Sequence, residues 1–310
     1  MSYNKRDRIL AFLILLPSIL LLAVFVYGFI GWTGLVAFSK WDGVEPNYEW
    51  AGLENFRMLF TSAGGIAAQR FSIDLWNTLF FTLFFLLICV LIGLLLAILL
   101  DQRIKWEGVF RTIYLFPMSL SFVVTGVVWQ WIFAPGTSSR PRGINALLHM
   151  VGLDSLRWKW YTDTRAIGHF HLALIPVIIA ASWQLIGYTM AMYLAGLRSI
   201  PEELREAARV DGASEWQIYR HVILPLLQPI TLSALIVLGH ISLKIFDLVY
   251  TMTGKGPGFV TDVPGIFMFE TTFQGNHYAQ GAAISIVMLL MVAVVVIPYL
   301  IYNFRREVEL

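Results

Sequence analysis

The chain has 310 residues, 58% of them hydrophobic and 14% charged, with a mean hydropathy of +0.70. A soluble domain carries about 25% charged residues, so this composition excludes an ordinary water-soluble fold and points to a chain that crosses a membrane repeatedly. A net charge of +2 without a Lys/Arg block gives no reason to expect nucleic acid. The single cysteine, Cys89, sits in an apolar run, which excludes an intrachain disulfide or a thiolate metal cluster.

In chain order, Lys5, Arg6 and Arg8 precede the first apolar run, which is too long for a signal-peptide core and lacks a clean cleavage site. It reads as a retained first span. A span needs about 20 apolar residues, and six are predicted, at roughly residues 9–38, 75–100, 112–133, 167–197, 222–246 and 279–302. Pro17, Pro117, Pro176, Pro229 and Pro298 fall inside them or at their edges, where kinks or ordinary packing irregularity are equally open readings. Basic residues are denser in the segments holding Arg103, Lys105, Arg111, Arg198, Arg205, Arg209, Arg220, Arg305 and Arg306 than in the intervening ones. By the positive-inside rule both termini and the segment after the fourth span face the cytoplasm. Trp41, Trp50, Trp158, Trp160 and Tyr161 then belong to the outer loops.

Between the fourth and fifth spans lies SIPEELREAARVDGASEWQIYRHVILP, residues 199–225, rich in charge. Ser199 with Glu202, and Ser214 with Gln217, have capping-box spacing, and Pro201 suits a first turn. Leu204, Ala207 and Ala208 share one helical face. Gly212 can take the positive φ that ends a helix. The stretch is predicted as helix, tight turn, helix. Glu202, Glu203, Glu206 and Asp211 flank the small-residue face, with Arg205 and Arg209 between. A pair of amphipathic turns resting on lipid headgroups has the same periodicity.

The residues themselves go further. Glu206, Ala207, Ala208, Asp211, Gly212 and Ala213, with Pro225 some eleven residues on, resemble the EAA loop of permease subunits in ATP-binding-cassette importers. GLENFRMLF, NTLFFT, GVFRTIYLFPMSLSFVVTGVVWQWIF and FDLVYTMTGKGP are similar to the carbohydrate-uptake branch typified by maltose transporters. Within it the chain resembles the first of two non-identical permeases. The resemblance implies an all-α, polytopic fold with six transmembrane helices around a type I importer (MetI-like) core. It implies one transmembrane permease domain over residues 1–310, with a core at about 70–305 and a cytoplasmic coupling loop at about 198–221. The implied partners are a second permease subunit, two ATPase subunits and an extracytoplasmic sugar-binding protein, besides membrane lipid. The resemblance implies no cofactor and no metal on the chain itself, ATP and magnesium being bound by the partner subunits. The implied location is a bacterial or archaeal plasma membrane, the inner membrane in a Gram-negative cell.

TGKGPG at residues 253–258 does not complete a P-loop, because Val249 stands where glycine is needed and Gly256 follows the lysine. Polar side chains inside spans point to function. Trp183, Gln184 and Tyr188 in the fourth span offer hydrogen bonds beside aromatic surface, as a sugar needs. Matching SWQLIGY, ISLKIFD and FPMSLSF to the maltose-type subunits adds Ser242, Ile245, Met118 and Phe122 as candidate substrate contacts. An ion-coupled secondary transporter would want acids at mid-membrane, which the spans almost lack. An integral-membrane enzyme would want more than the pair His169 and His171.

Overall fold

The computed structural model describes residues 5–102 and 104–308. Arg103 lies outside the described residues, as do the side chains of Lys5, Arg6, Arg8, Arg305 and Arg306. Along the chain come α1 (Lys5–Leu22), a π-helical turn, α2 (Phe29–Ala37), α3 (Glu54–Phe60) and α4 (Ile66–Asp101). Next are α5 (Glu107–Leu115), α6 (Phe122–Ile132) and α7 (Gly143–Met150), then a two-stranded hairpin of β1 (Ala166–Ile167) and β2 (Phe170–His171). The remainder is α8 (Leu174–Ser199), α9 (Glu202–Val210), α10 (Glu215–Ile218), α11 (Leu224–Leu226), α12 (Gln228–Leu243), α13 (Asp247–Met252), α14 (Pro264–Phe269) and α15 (Tyr278–Val308).

Among the described residues, four helical stretches are long and apolar enough to span a membrane unbroken, namely Phe12–Ala37, Ile66–Asp101, Leu174–Ser199 and Tyr278–Ile301. The third and fifth predicted spans are bent pairs, Glu107–Ser119 with Phe122–Ile132 at 99° and Glu215–Leu226 with Gln228–Leu243 at 61°. Counting each pair once gives the six expected spans. The fourth is shorter than predicted, because residues 167–171 form the hairpin instead of the first helical turn.

Both breaks have local causes. In the third span Pro117 sits in a 3-10 turn, and Leu120 and Ser121 are extended (φ −82°, ψ 147° and φ −71°, ψ 151°). The Ser121 hydroxyl then accepts from the backbone N–H of Val124 and starts α6 afresh. In the fifth, Pro225 and Pro229 each remove a backbone donor, and the axis turns between them at Leu227.

The chain divides into two compact units. In the unit of residues 1–69 and 267–289, Asn55 donates from Nδ2 to the carbonyls of Ala37 and Ser39, closing the end of α2. Trp41 packs on Tyr278 with centroids 5.0 Å apart, and the Trp41 carbonyl accepts from the N–H of Ala279.

In the unit of residues 70–266 and 290–310, α8 is the central helix. In its apolar window 67% of residues are buried, against 28% in the window of α4. Two apolar clusters fill this unit. One joins Phe81, Phe85 and Cys89 of α4 to Val177, Ala181 and Leu185 of α8 and to Leu248 and Met252 of α13. The other joins Ala97 and Leu100 to Tyr193, Leu197, Ile218 and Ile223. Gly93 lets α4 and α8 meet, since a Cβ there would lie 2.4 Å from Thr189 Oγ1. That hydroxyl also donates to the Cys89 carbonyl at 2.9 Å.

Candidate coupling and translocation sites

The elbow after α8 folds as predicted in outline and differs in one cap. Ser214 and Gln217 form a reciprocal capping box at the start of α10. Ser199 does not cap α9. Its hydroxyl donates back to the Gly196 carbonyl inside α8, and Pro201 occupies the cap position. Ser199 remains helical, so its side chain reaches the previous turn before it can reach the next helix. Gly212 turns the chain at φ +82° with open space around its Cα. Here glycine is required by backbone conformation and not by crowding.

The two alanines part company. Ala207 is exposed, whereas Ala208 and Ala213 are half-buried against the cluster of Tyr193, Leu197 and Ile218. The outward face therefore carries Leu204, Ala207, Val210 and Asp211, with Trp216 69% exposed beyond the turn. Glu206 is exposed beside them. This is a small, shallow apolar face with an acidic edge, suited to contact with another macromolecule.

Behind that face lies a polar cavity of about 1170 Å³ lined by Asp101, Glu107, Arg198, Glu202, Arg205 and Glu215 among others. Arg209 pairs through Nε with Glu215 at 2.8 Å across the turn and through Nη1 with Glu202 at 3.5 Å along α9, which raises the Arg209 pKa. Arg198 at the end of α8 pairs with Glu107 at the start of α5, at 2.8 Å. Arg205 reaches Asp101, the last residue of α4, at 3.0 Å. In the sequence these arginines mark the inner face of the membrane, and Arg205 and Arg209 also stand between the acids of the elbow, but their specific pairings are not apparent. The Glu107 and Asp101 partners of Arg198 and Arg205 lie in distant elements, and no local spacing announces them.

At the other end of α4, Arg70 Nε meets Asp262 Oδ2 at 2.5 Å, and both side chains are buried. Asn77 Nδ2 donates to the carbonyls of Phe259 and Asp262, at 3.1 and 2.9 Å. This fixes the amide, so its Oδ1 accepts from His171 Nδ1–H at 2.9 Å. Burial, then the neighbouring His169, lowers the His171 pKa below its ordinary value. The TGKGPG loop is an ordered turn of this assembly, with the Thr261 hydroxyl donating to the Gly254 carbonyl.

The predicted substrate residues fall into three settings. Gln184 is buried at the break in the third span, where Nε2 donates to the Leu120 carbonyl at 2.7 Å and Oε1 finds no hydrogen-bond partner among the described residues. Ser242 and Ile245 are buried in the main cluster, the Ser242 hydroxyl bonded to the Gly239 carbonyl. Phe122 and Tyr188 pack half-buried on the same cluster. Met118 and Trp183 are exposed, with the Trp183 ring edge-on to Trp129 at 5.7 Å. Gln184, Met118 and Phe122 thus gather at one discontinuity, whereas Ser242 and Ile245 stand in the packed interior. Among the described residues no group of three or more His, Cys, Asp or Glu could hold a metal.

Comparison with known proteins follows this geometry. Residues 89–309 match the model for the binding-protein-dependent transport system inner membrane component. A probable ABC transporter permease protein of Pyrococcus horikoshii is 42% identical, the match covering 95% of this chain and 96% of that protein. A xylose/arabinose import permease protein of Haloferax volcanii is 37% identical, over 92% of this chain and 85% of that one. A solved bacterial ABC transporter, involved in importing the acidic polysaccharide alginate, superposes with a TM-score of 0.73 at 25% identity, covering 94% of both chains. These likenesses give no support to an ion-coupled transporter. A six-span, membrane-embedded transport subunit that leaves ATP hydrolysis to separate subunits, the chain belongs to the binding-protein-dependent family of ABC importer permeases.

Proposed function

We propose that this chain is the first of two non-identical permeases of a sugar importer, with its elbow docked on a partner ATPase. The observation that carries this reading is the elbow itself. An exposed face of Leu204, Ala207 and Val210 stands beside a glycine held at φ +82°, on a segment tied by ion pairs to the ends of α4 and α5. A lever needs a small contact face and a stiff root, and this segment has both. Glu206, Ala207, Ala208, Asp211, Gly212 and Ala213 are the coupling residues in this reading. Ala207 and Glu206 meet the ATPase, and Ala208 and Ala213 root the elbow in the spans.

The elbow then faces the cytoplasm, as do both termini. ATP closes two partner ATPases, the elbows of this chain and of the second permease follow, and the cavity opens to a sugar brought by an extracytoplasmic binding protein. ATP and magnesium stay on the ATPases. The xylose/arabinose relative supports a sugar as cargo. At the break in the third span, Gln184 with Trp183, Tyr188, Met118 and Phe122 would present hydrogen-bonding and aromatic groups to it. Ser242 and Ile245 would act from behind, by shaping the wall.

Two experiments test this. Cysteine crosslinkers at Ala207 should capture an ATPase subunit from native membranes, and capture of none refutes the docking. Gln184→Ala should weaken sugar-dependent transport more than basal ATPase activity of the assembled transporter. Equal loss of both would mean that Gln184 only props the break at Leu120. A thermal-shift screen of the binding protein against a sugar panel identifies the cargo.

A further inference from the structure

Arg205 differs from every other arginine of the elbow in where it points. Its side chain is 14% exposed and that of its partner Asp101 is 10% exposed, whereas the Arg209–Glu215 pair is 46% and 63% exposed. One nitrogen, Nη2, serves two helices at once, donating to Asp101 Oδ2 at 3.0 Å and to the Leu197 carbonyl in the last turn of α8 at 3.4 Å. Nε faces Glu202 at 3.8 Å, close enough for ion pairing without a hydrogen bond. The C-terminal turn of a helix has unmet carbonyls and carries partial negative charge. A single guanidinium therefore neutralises the ends of α4 and α8 and belongs to neither. The Asp101 bond spans 104 positions of sequence.

We propose that Arg205 is a positioning residue that pins the elbow to the ends of α4 and α8, making the three move as one body. This rests on the elbow being the ATPase dock. Removing one partner of a buried pair leaves an uncompensated charge away from water, so the pin resists separation under load. The exposed Arg209 pairs stiffen only the turn. Arg198 with Glu107 adds a second, more exposed strut toward α5.

The test uses the assembled transporter in proteoliposomes, with spin labels on Val210→Cys of the elbow and Leu99→Cys of α4, both positions being exposed. Pulsed dipolar distances are read without nucleotide and with ATP plus vanadate. The expected result is a narrow distribution that shifts by less than about 2 Å between the two states, small beside a one-turn helix displacement of about 5.4 Å. Arg205→Gln and Asp101→Asn should each broaden it or make it nucleotide-dependent, and the exchange of Asp101→Arg with Arg205→Asp should narrow it again. Arg205→Lys keeps the charge at Asp101 and gives up reach to Leu197, so its width should fall between native and Arg205→Gln. If Arg205→Gln and Asp101→Asn fail to assemble, Arg205→Lys and the exchange decide. A native distance that changes with nucleotide, or a lysine or glutamine variant as narrow as native, overturns the pin. Failure of the docking reading looks different, since the Val210 label would then stay equally mobile with and without the ATPase.

Discussion

The two ends of α4 are held in opposite ways. At the Arg70 end, buried partners from residues 70–77, 171 and 259–262 are drawn together across as many as 192 positions of sequence. At the Asp101 end, the elbow is mostly self-contained. Its turn is closed by Arg209 with Glu215 and by the Ser214 box, six and three positions apart, and among the described ion pairs Arg205 and Arg198 are the ones that reach the ends of other spans. Buried long-range contacts fix a shape cooperatively. Exposed short-range ones preserve a shape while leaving it free to meet a partner. One end is built to stay put and the other to be gripped.

The contrast can be broken most severely at Gly212. Placing a β-branched side chain at φ +82° strains the turn, at about 1–2 kcal/mol for an ordinary left-handed residue and more for a branched one. Gly212→Val is expected to cut uptake roughly tenfold or more, by the usual conversion of about 1.4 kcal/mol per decade. Its level in the membrane should stay close to native, because nothing surrounds the site; a matching fall in membrane level would show that the elbow is needed for folding.

At the other end the effect should be on stability. Asn77→Leu leaves the Phe259 and Asp262 carbonyls and His171 without their partner, at an expected cost of about 3 kcal/mol. The heating midpoint of the detergent-solubilised protein should fall accordingly, and an unchanged midpoint would dissolve the distinction between the ends.

A smaller effect comes from pH. The His171 pKa is lowered in the folded protein, chiefly by burial, so the folded state prefers the neutral ring. Its contribution is present above the ordinary value of 6.5 and is lost as pH falls through the lower folded value. The heating midpoint should drop between pH 7.5 and 5.5, and His171→Gln should flatten that dependence. The Arg209–Glu215 pair should matter least. Glu215→Gln is expected to leave the midpoint unchanged, since the pair is open to water and screened by salt.

How much could be read in advance follows the same division. The elbow was legible because its logic is local: Gly212 ends α9, Ser214 and Gln217 cap α10, and the outward face follows helical periodicity. Ser199 misled because a hydroxyl in the last turn of a helix has a nearer carbonyl to bond, that of Gly196. The six spans were legible from apolar length. The 99° break was foreshadowed by Pro117 alone, since Leu120 and Ser121 turn extended under packing that no single residue encodes. The clasp of Arg70, Asn77, His171 and Asp262 was not legible. Its members are unremarkable one by one and acquire meaning only when tertiary structure brings them together. The surroundings of the substrate candidates were also not legible, because Gln184 and Ser242 look alike in sequence and differ in what encloses them.

The solitary thiol has a practical consequence. Cys89 is wholly enclosed between α4 and α8 and its residue has no exposed surface. Since no other cysteine occurs in the chain, thiol-directed dyes, probes and tethers should pass over the native protein. Any cysteine placed at its surface becomes a unique chemical handle, so evolution has already supplied the silent background that site-by-site mapping of a moving transporter requires.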